Sequence, residues 1–173
     1  MLKRALLLVL FFVCACRNLF SDDDIHLCPN VQITRDNSYL TQFVNYKEAF
    51  QISINGYEGY CYYDKVLERH RAVISPIFKI KRLRPSDETD VRFSYYTETI
   101  KGPPEYIGKK TYHITSQIPT DTIETEYKAA QTSVFIPAEM LYDYDINLGL
   151  WISLEEAKYN HRTFDINYRY EQE

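Results

Sequence analysis

From Asn30 onward apolar residues recur at every second position, and this period constrains the fold more than any other feature of the chain. Phe50, Ile52 and Ile54 alternate with Gln51, Ser53 and Asn55; Val91, Phe93 and Tyr95 alternate with Arg92, Ser94 and Tyr96. Tyr112, Ile114, Ser116 and Ile118 share one face, and Tyr144, Ile146, Leu148, Leu150 and Ile152 share another. Successive side chains of a strand point to opposite sides, so a period of two marks half-buried strands and not helices. It predicts strands near 30–35, 47–55, 58–64, 69–83, 90–99, 109–118, 122–136 and 143–152. The joints carry turn chemistry: Asn55-Gly56 and Gly59 flank a tight bend, Pro85-Ser86-Asp87 opens a loop, and Gly102-Pro103-Pro104 interrupts a connection. Strands at this spacing predict an all-β fold, a single antiparallel, immunoglobulin-like β-sandwich over residues 28–173. Pro76 falls inside a predicted strand, which should lie at an edge or be bulged or divided there.

One helix is expected near the end. Ser153-Leu154-Glu155-Glu156 matches a capping box, in which Ser153 caps the first turn and Glu156 reaches back to it. The helix should run to about His161, with Leu154, Ala157 and His161 facing the sandwich. Beyond it Phe164, Ile166, Tyr168 and Tyr170 alternate with polar partners, which predicts a last edge strand.

The N-terminus has a different grammar. Lys3 and Arg4 precede an apolar run from Ala5 to Val13 and the small stretch Cys14-Ala15-Cys16, the order of a signal peptide over residues 1–15. About a dozen apolar residues fall short of the roughly 20 that a membrane-spanning helix needs. Val13-Cys14-Ala15-Cys16 resembles the bacterial lipobox, with an aliphatic residue three before and a small residue one before the lipidated cysteine. Cys14 fits that pattern poorly, because Val13 precedes it and Phe11 stands three before, so Cys16 is the expected lipid acceptor. An ordinary secretory signal is the alternative. Residues 16–27 then form a tether whose eleven residues after Cys16 reach about 35 to 40 Å when stretched. The Asp22-Asp23-Asp24 triplet reads as a solvated spacer, since adjacent side chains on an extended chain diverge. Arg17, and not Asp, follows Cys16, which favours an outer membrane facing the periplasm in a Gram-negative cell.

Cleavage would remove Cys14 and lipid would occupy Cys16, leaving Cys28 and Cys61. Two thiols in an exported, oxidising compartment normally pair, and the chain-entropy account values such a loop at about 4 kcal/mol. Two separately buried thiols are the alternative. Losing Lys3 and Arg4 and no acid takes the formal charge from −4 to −6, which argues against nucleic acid as a partner.

Several short motifs recur in one order. The lipidated start, Cys28-Pro29-x-Val31, Asp36 with Leu40-Thr41-x-Phe43, Gly59-x-Cys61-x-Tyr63-Asp64, Ile136-Pro137, and Leu148-Gly149-Leu150 with Leu154 and Tyr159-Asn160-x-Arg162 together resemble uncharacterised envelope lipoproteins of Alphaproteobacteria. The middle of the chain, from Lys65 to Thr132, departs from that likeness in its many tyrosines. The resemblance implies an envelope location and an all-β fold, and supplies no activity.

Reactive chemistry has little support. There is no G-x-S-x-G elbow, and none of the five glycines is arranged to cradle a phosphate, so neither a serine hydrolase nor a cofactor-binding site is expected. His26, His70, His113 and His161 lack metal-ligand spacing, although His70 and His113, both on predicted strands, are candidates for cross-strand neighbours. Asp143 and Asp145 should share one side of a strand, where solvation is the plainer reading than paired-acid chemistry. No metal or cofactor is therefore assigned.

What remains is surface. Lys79, Lys81, Arg82 and Arg84 form the strongest basic cluster, read either as edge protection or as a patch for an acidic partner or headgroups. Sixteen tyrosines stand out, with Tyr57, Tyr60, Tyr62 and Tyr63 close together; rings with a polar tip suit wet interfaces as well as strands. Tyr57, Tyr60, Tyr62 and the basic cluster are the candidate partner-binding residues. The expectation is a non-catalytic interaction or accessory module anchored to the membrane by its N-terminal lipid and binding another envelope component, a protein or a glycan, with a glycan-binding lipoprotein that uses its exposed tyrosines second and an enzyme of scattered residues third. The anchor is testable: Cys16→Ser should abolish incorporation of labelled fatty acid while Cys14→Ser retains it, and unchanged labelling of the Cys16 variant would refute the assignment.

Overall fold

Among the described residues the chain runs through nine strands, a 3-10 turn (Arg35–Asn37) and an α-helix: β1 (Asn30–Ile33), β2 (Tyr39–Val44), β3 (Lys47–Asp64), β4 (Arg69–Arg82), β5 (Asp90–Lys101), β6 (Glu105–Gln117), β7 (Glu124–Lys128), β8 (Thr132–Pro137), β9 (Tyr144–Leu150) and α1 (Leu154–Tyr170). The computed structural model describes residues 28–101, 105–137 and 144–170, so the predicted signal peptide, Cys16, the tether and Asp143 lie outside the described residues. One sheet has the order β1-β9-β5-β6; the other has β2-β3-β4-β7, with β8 also on β4. Neighbours pair antiparallel except β1 and β9, which are parallel. The all-β sandwich with a C-terminal helix is as predicted. Its likeness to an immunoglobulin domain holds for the two packed sheets and not for the strand order, because β2, β3 and β4 form a three-stranded meander within one sheet.

The centre of the second sheet is β4, and Pro76 sits fully buried in it. Of the three outcomes expected at Pro76, the edge and the division of its own strand are overturned, for β4 is central and continuous and it is the neighbouring strand that is divided; the irregularity lies in the pairing with β3, opposite Ile77. Pro76 accepts a hydrogen bond at its carbonyl from the Ala129 amide (2.9 Å) and has no N–H to return. The ladder stops there: β7 pairs with Ile77–Lys81 and β8 with Arg69–Ile74, and the predicted strand 122–136 becomes two. The Ser75 hydroxyl donates to the Ala129 carbonyl across the gap.

On the other side of β4 the predicted strands 47–55 and 58–64 are one 18-residue strand, and Asn55-Gly56 is not a hairpin turn. The register slips between Ile54 and Gly56. One extra residue exchanges the faces of everything beyond it. Phe50, Ile52 and Ile54 therefore face the core before the slip, and Cys61 faces it after, bonded to Cys28 with Cα atoms 5.5 Å apart. The same shift turns Tyr60 and Tyr62 outward. Gly59 is required nearby, since a Cβ there would stand 2.7 Å from the Val73 carbonyl oxygen.

β2 escaped the periodicity because its buried residues, Leu40 and Thr41, are adjacent and its register is irregular at Gln42/Phe43. The β2–β3 turn places Asn45 and Tyr46 at φ 52° and 61°, a hairpin geometry for which Asn-Tyr is an uncommon signal. The capping box forms as expected: the Ser153 amide donates to Glu156 Oε2 (2.6 Å) and the Glu156 amide to Ser153 Oγ (3.2 Å). The helix then continues to Tyr170 in place of the predicted edge strand. A helix satisfies its backbone internally, whereas a strand needs a free edge beside it. Leu154 and His161 point to solvent; Asn160 is the buried residue, donating to the Tyr39 carbonyl (2.6 Å), and Tyr159 packs edge-on against Phe43.

The main core joins both sheets through Phe50, Ile52, Phe78 and Ile80 on one side and Val91, Phe93, Tyr95, Leu148 and Leu150 on the other. Phe78 meets the Phe93 ring edge-on at 4.9 Å, and each fully buried large side chain contributes about 1.5–3 kcal/mol. A second cluster of Ala72, Ile74, Val134, Ile136, Tyr144 and Ile146 fills the disulfide end.

Arg82 closes the opposite end. It is 7% exposed, lies 4.9 Å over the Phe50 ring, and donates to five backbone carbonyls, those of Thr122, Ser86, Glu88, Ile118 and Pro119. A guanidinium has five N–H groups, so the count is complete. Its partners belong to two of the connections that cross between sheets, 83–89 and 118–123. Arg82→Met should strand these carbonyls and lower stability by about 3 kcal/mol. Arg82→Lys, with its donors at one point in place of a fork, should recover less than half of that loss. Chemical denaturation measures both, and a variant as stable as the parent would refute this role.

Candidate functional site

Three strands carry an aromatic strip across the outer face of the second sheet. Tyr62 on β3, Arg71 on β4 and Phe135 on β8 lie in one register row. The Arg71 guanidinium is 4.6 Å from the Phe135 ring centre and 5.8 Å from that of Tyr62, and its Nη1 donates to the Tyr62 hydroxyl (2.6 Å). That hydrogen bond holds the guanidinium above even its ordinary pKa, so the cation is permanent. Tyr60 stacks beside Tyr62 with ring centres 6.2 Å apart, and Arg69 approaches Phe135 from the next row at 5.3 Å. Tyr60 is 54% exposed and Phe135 37%. Strand alternation puts Tyr57 on the other side of β3, although it too is exposed, so it does not extend the strip.

The strip borders an open depression of 420 Å³ where β7 and β8 part. Tyr60 forms one wall, Val73 and Ser75 the floor, and Glu58, Lys128 and Gln131 the rest. Lys128 and Glu58 form an ion pair across it. Pro76 is thus the origin of the site: the ladder it interrupts is the ladder that would have filled this space.

The basic cluster does not assemble. Lys79 and Lys81 turn to the outer face but protect no edge, because β4 is paired on both sides there; they alternate across the sheet with Glu124 and Glu126, and Lys79 pairs with Glu124 at 2.8 Å. Arg82 is buried in the fold, and Arg84 donates to the Val44 carbonyl (3.0 Å). The result is a surface of mixed charge. Arg71 and Phe135 went unrecognised in the sequence because the strip is assembled by cross-strand pairing, Tyr62 with Arg71 and Arg71 with Phe135, between positions far apart along the chain.

The reactive candidates disperse as well. His70, on β4, sits against the Tyr63 ring at 5.2 Å, whereas His113, on β6 of the other sheet, shares a hydrogen bond with Ser94 Oγ (2.8 Å), so the two are not cross-strand neighbours. Asp145 is exposed and accepts from Asn30 Nδ2. Among the described residues no three His, Cys, Asp or Glu side chains converge on a metal-sized space, and no helix is long and apolar enough to cross a membrane. A second depression, between α1 and β2, is lined by Phe43, Tyr159, Arg162 and three further charged groups, of which Glu156 is held in the helix cap and Lys158 pairs with Glu155.

Comparison with protein-family models, curated proteins and solved structures finds no match to this chain. The site therefore stands on its own geometry.

The face of the first sheet carries its own cation contact, with Lys109 Nζ 3.5 Å from the Tyr96 ring centre and 5.1 Å from that of Trp151. Gly149 makes room for Tyr96, whose hydroxyl would lie 2.5 Å from a Cβ at that position. Burial pushes the phenols of Tyr95 and Tyr96 above their ordinary value of 10.0. Both stay neutral in the fold at a pH where the unfolded chain ionises, so their stabilising effect is complete below about pH 10 and is lost as pH rises beyond it. An alkaline titration followed by tyrosinate absorbance should show Tyr95 and Tyr96 ionising in a late cooperative step coincident with unfolding. A single transition without unfolding would contradict this burial.

Proposed function

We propose that this protein is a lipoprotein, anchored through Cys16, whose sandwich binds another component of the cell envelope through the strip of Tyr60, Tyr62, Arg71 and Phe135. The observation that carries the reading is the row of exposed Tyr60 and Phe135 with half-buried Tyr62 and Arg71 between them on one outward sheet face. Aromatic side chains and arginine dominate the energetics of protein interfaces, and here the three strands fix their positions before any partner arrives. Binding, and not turnover, is the proposed activity. Lipid attachment raises the local concentration at a membrane surface, so a small interface suffices. The lipobox-like Val13-Cys14-Ala15-Cys16 and the Cys28–Cys61 bond both fit export to the envelope, and Arg17 fits an outer membrane facing the periplasm.

Photocross-linking in intact cells tests this. A photoreactive residue at Phe135 should capture a partner that one at His113, on the opposite sheet, does not. Tyr60→Ala and Arg71→Ala should each reduce capture from Phe135 about tenfold, the loss of roughly 1.4 kcal/mol expected of a contact at the centre of an interface. Equal capture from both faces, or capture indifferent to these substitutions, would overturn the proposal.

A further inference from the structure

The depression beside the aromatic strip has a chemistry of its own, and we infer that it takes one neutral hexopyranose unit of an envelope glycan, with the sugar stacked on the Tyr60 ring. This inference rests on the proposed use of the same face for binding and names its ligand. Four observations lead to it. The space, 420 Å³, falls within the roughly 300–1,000 Å³ of small-ligand sites, yet it is open to solvent, which suits a residue within a longer chain. One wall is an exposed phenol ring, whose neighbour Tyr62 occupies one side only. A pyranose offers a patch of C–H groups to such a ring while its hydroxyls point sideways.

The remaining lining supplies what those hydroxyls require. Glu58 accepts, Lys128 donates, and the Gln131 amide does both; a vicinal diol can bridge an acceptor and a donor held together as Glu58 and Lys128 are. The floor is polar at Ser75, whose hydroxyl is turned to the Ala129 carbonyl and retains its acceptor capacity, and apolar at Val73. The charge balance selects against an acidic sugar. Lys128 is already neutralised by Glu58, and a uronate in the depression would meet that carboxylate, whereas Arg71 lies beyond Tyr62 with its head between two rings. A protein loop fits less well, because the depression is shallow and ringed by polar groups where an anchoring side chain would need an apolar pocket.

The experiment uses the isotopically labelled mature protein and three soluble probes, cellotetraose, chitotetraose and tetragalacturonate, followed by amide chemical shifts. Cellotetraose or chitotetraose should perturb the amides of Gly59, Tyr60, Lys128 and Gln131, with a dissociation constant of about 1 mM, a value common for one sugar on an open site. Whichever of the two binds tighter tells a glucan from an N-acetylhexosamine polymer. Tyr60→Phe should retain binding, since the ring and not the hydroxyl stacks; Tyr60→Ala should weaken it at least tenfold with the remaining spectrum unchanged, and Gln131→Ala about threefold. The inference is overturned if neither neutral tetraose shifts these amides at 20-fold that concentration, if tetragalacturonate binds tighter than both, or if Tyr60→Ala leaves binding intact. Should the sugars fail while Phe135 still captures a protein in cells, the binding face stands and only its ligand class falls; failure of both removes the face itself.

Discussion

Pro76 has no amide hydrogen to give, and it occupies the middle of the central strand of a sheet. A ladder position without a donor normally relegates proline to an edge. Here β4 keeps its place between two neighbours because the cost falls on one of them: the chain opposite leaves the ladder after Lys128, spends Ala129 to Gln131 crossing the gap, and rejoins at Thr132. The Ala129 amide and carbonyl are both met, the first by Pro76 and the second by Ser75, so the interruption leaves neither stranded. From this accommodation come the division into β7 and β8, the depression between them, and the exposure of Tyr60 along its wall.

The slip at Ile54/Gly56 is the second device, and it governs what each side of β3 does. A strand of 18 residues in uninterrupted alternation would send Phe50 and Tyr60 to the same side. The extra residue separates them, giving the core Phe50 and Cys61 and giving solvent Tyr60 and Tyr62. The two pairings of β4, a broken one and a slipped one, flank the same stretch, so the sheet is irregular at the place where it presents its candidate site.

This explains how much the sequence could disclose. Alternation located β1, β5, β6 and β9 and most of their inward residues, because these strands keep one register except for a single slip near the end of β5. Cysteine count anticipated the Cys28–Cys61 bond, and Ser153 with Glu156 announced the helix start, since both signals are local or arithmetical. Period-two reasoning missed β2, whose buried Leu40 and Thr41 are adjacent, and misjudged Asn55-Gly56, a turn signal that here falls at a register slip inside one continuous strand. The site itself was half legible. Tyr60 and Tyr62 stood out as a cluster, while Arg71 and Phe135 join them through cross-strand pairing that no local pattern encodes. Arg82 shows the limit of counting charges: adjacent in sequence to Lys81, it points the opposite way and becomes a hub for two connections.

The disulfide also sets the path of mechanical load. β1 is four residues long and pairs only with β9 among the described residues, a weak hold for the strand at which the described chain begins. Cys28 precedes it and is bonded to Cys61, deep within β3. Tension arriving from the N-terminal side therefore bypasses β1 and enters the longest strand of the molecule through a covalent link, one residue from Tyr60 and Tyr62. A domain loaded in this way would feel a pull from its N-terminal side at the very strand that carries its candidate contact surface, so β1 could peel away without releasing the body of the sandwich.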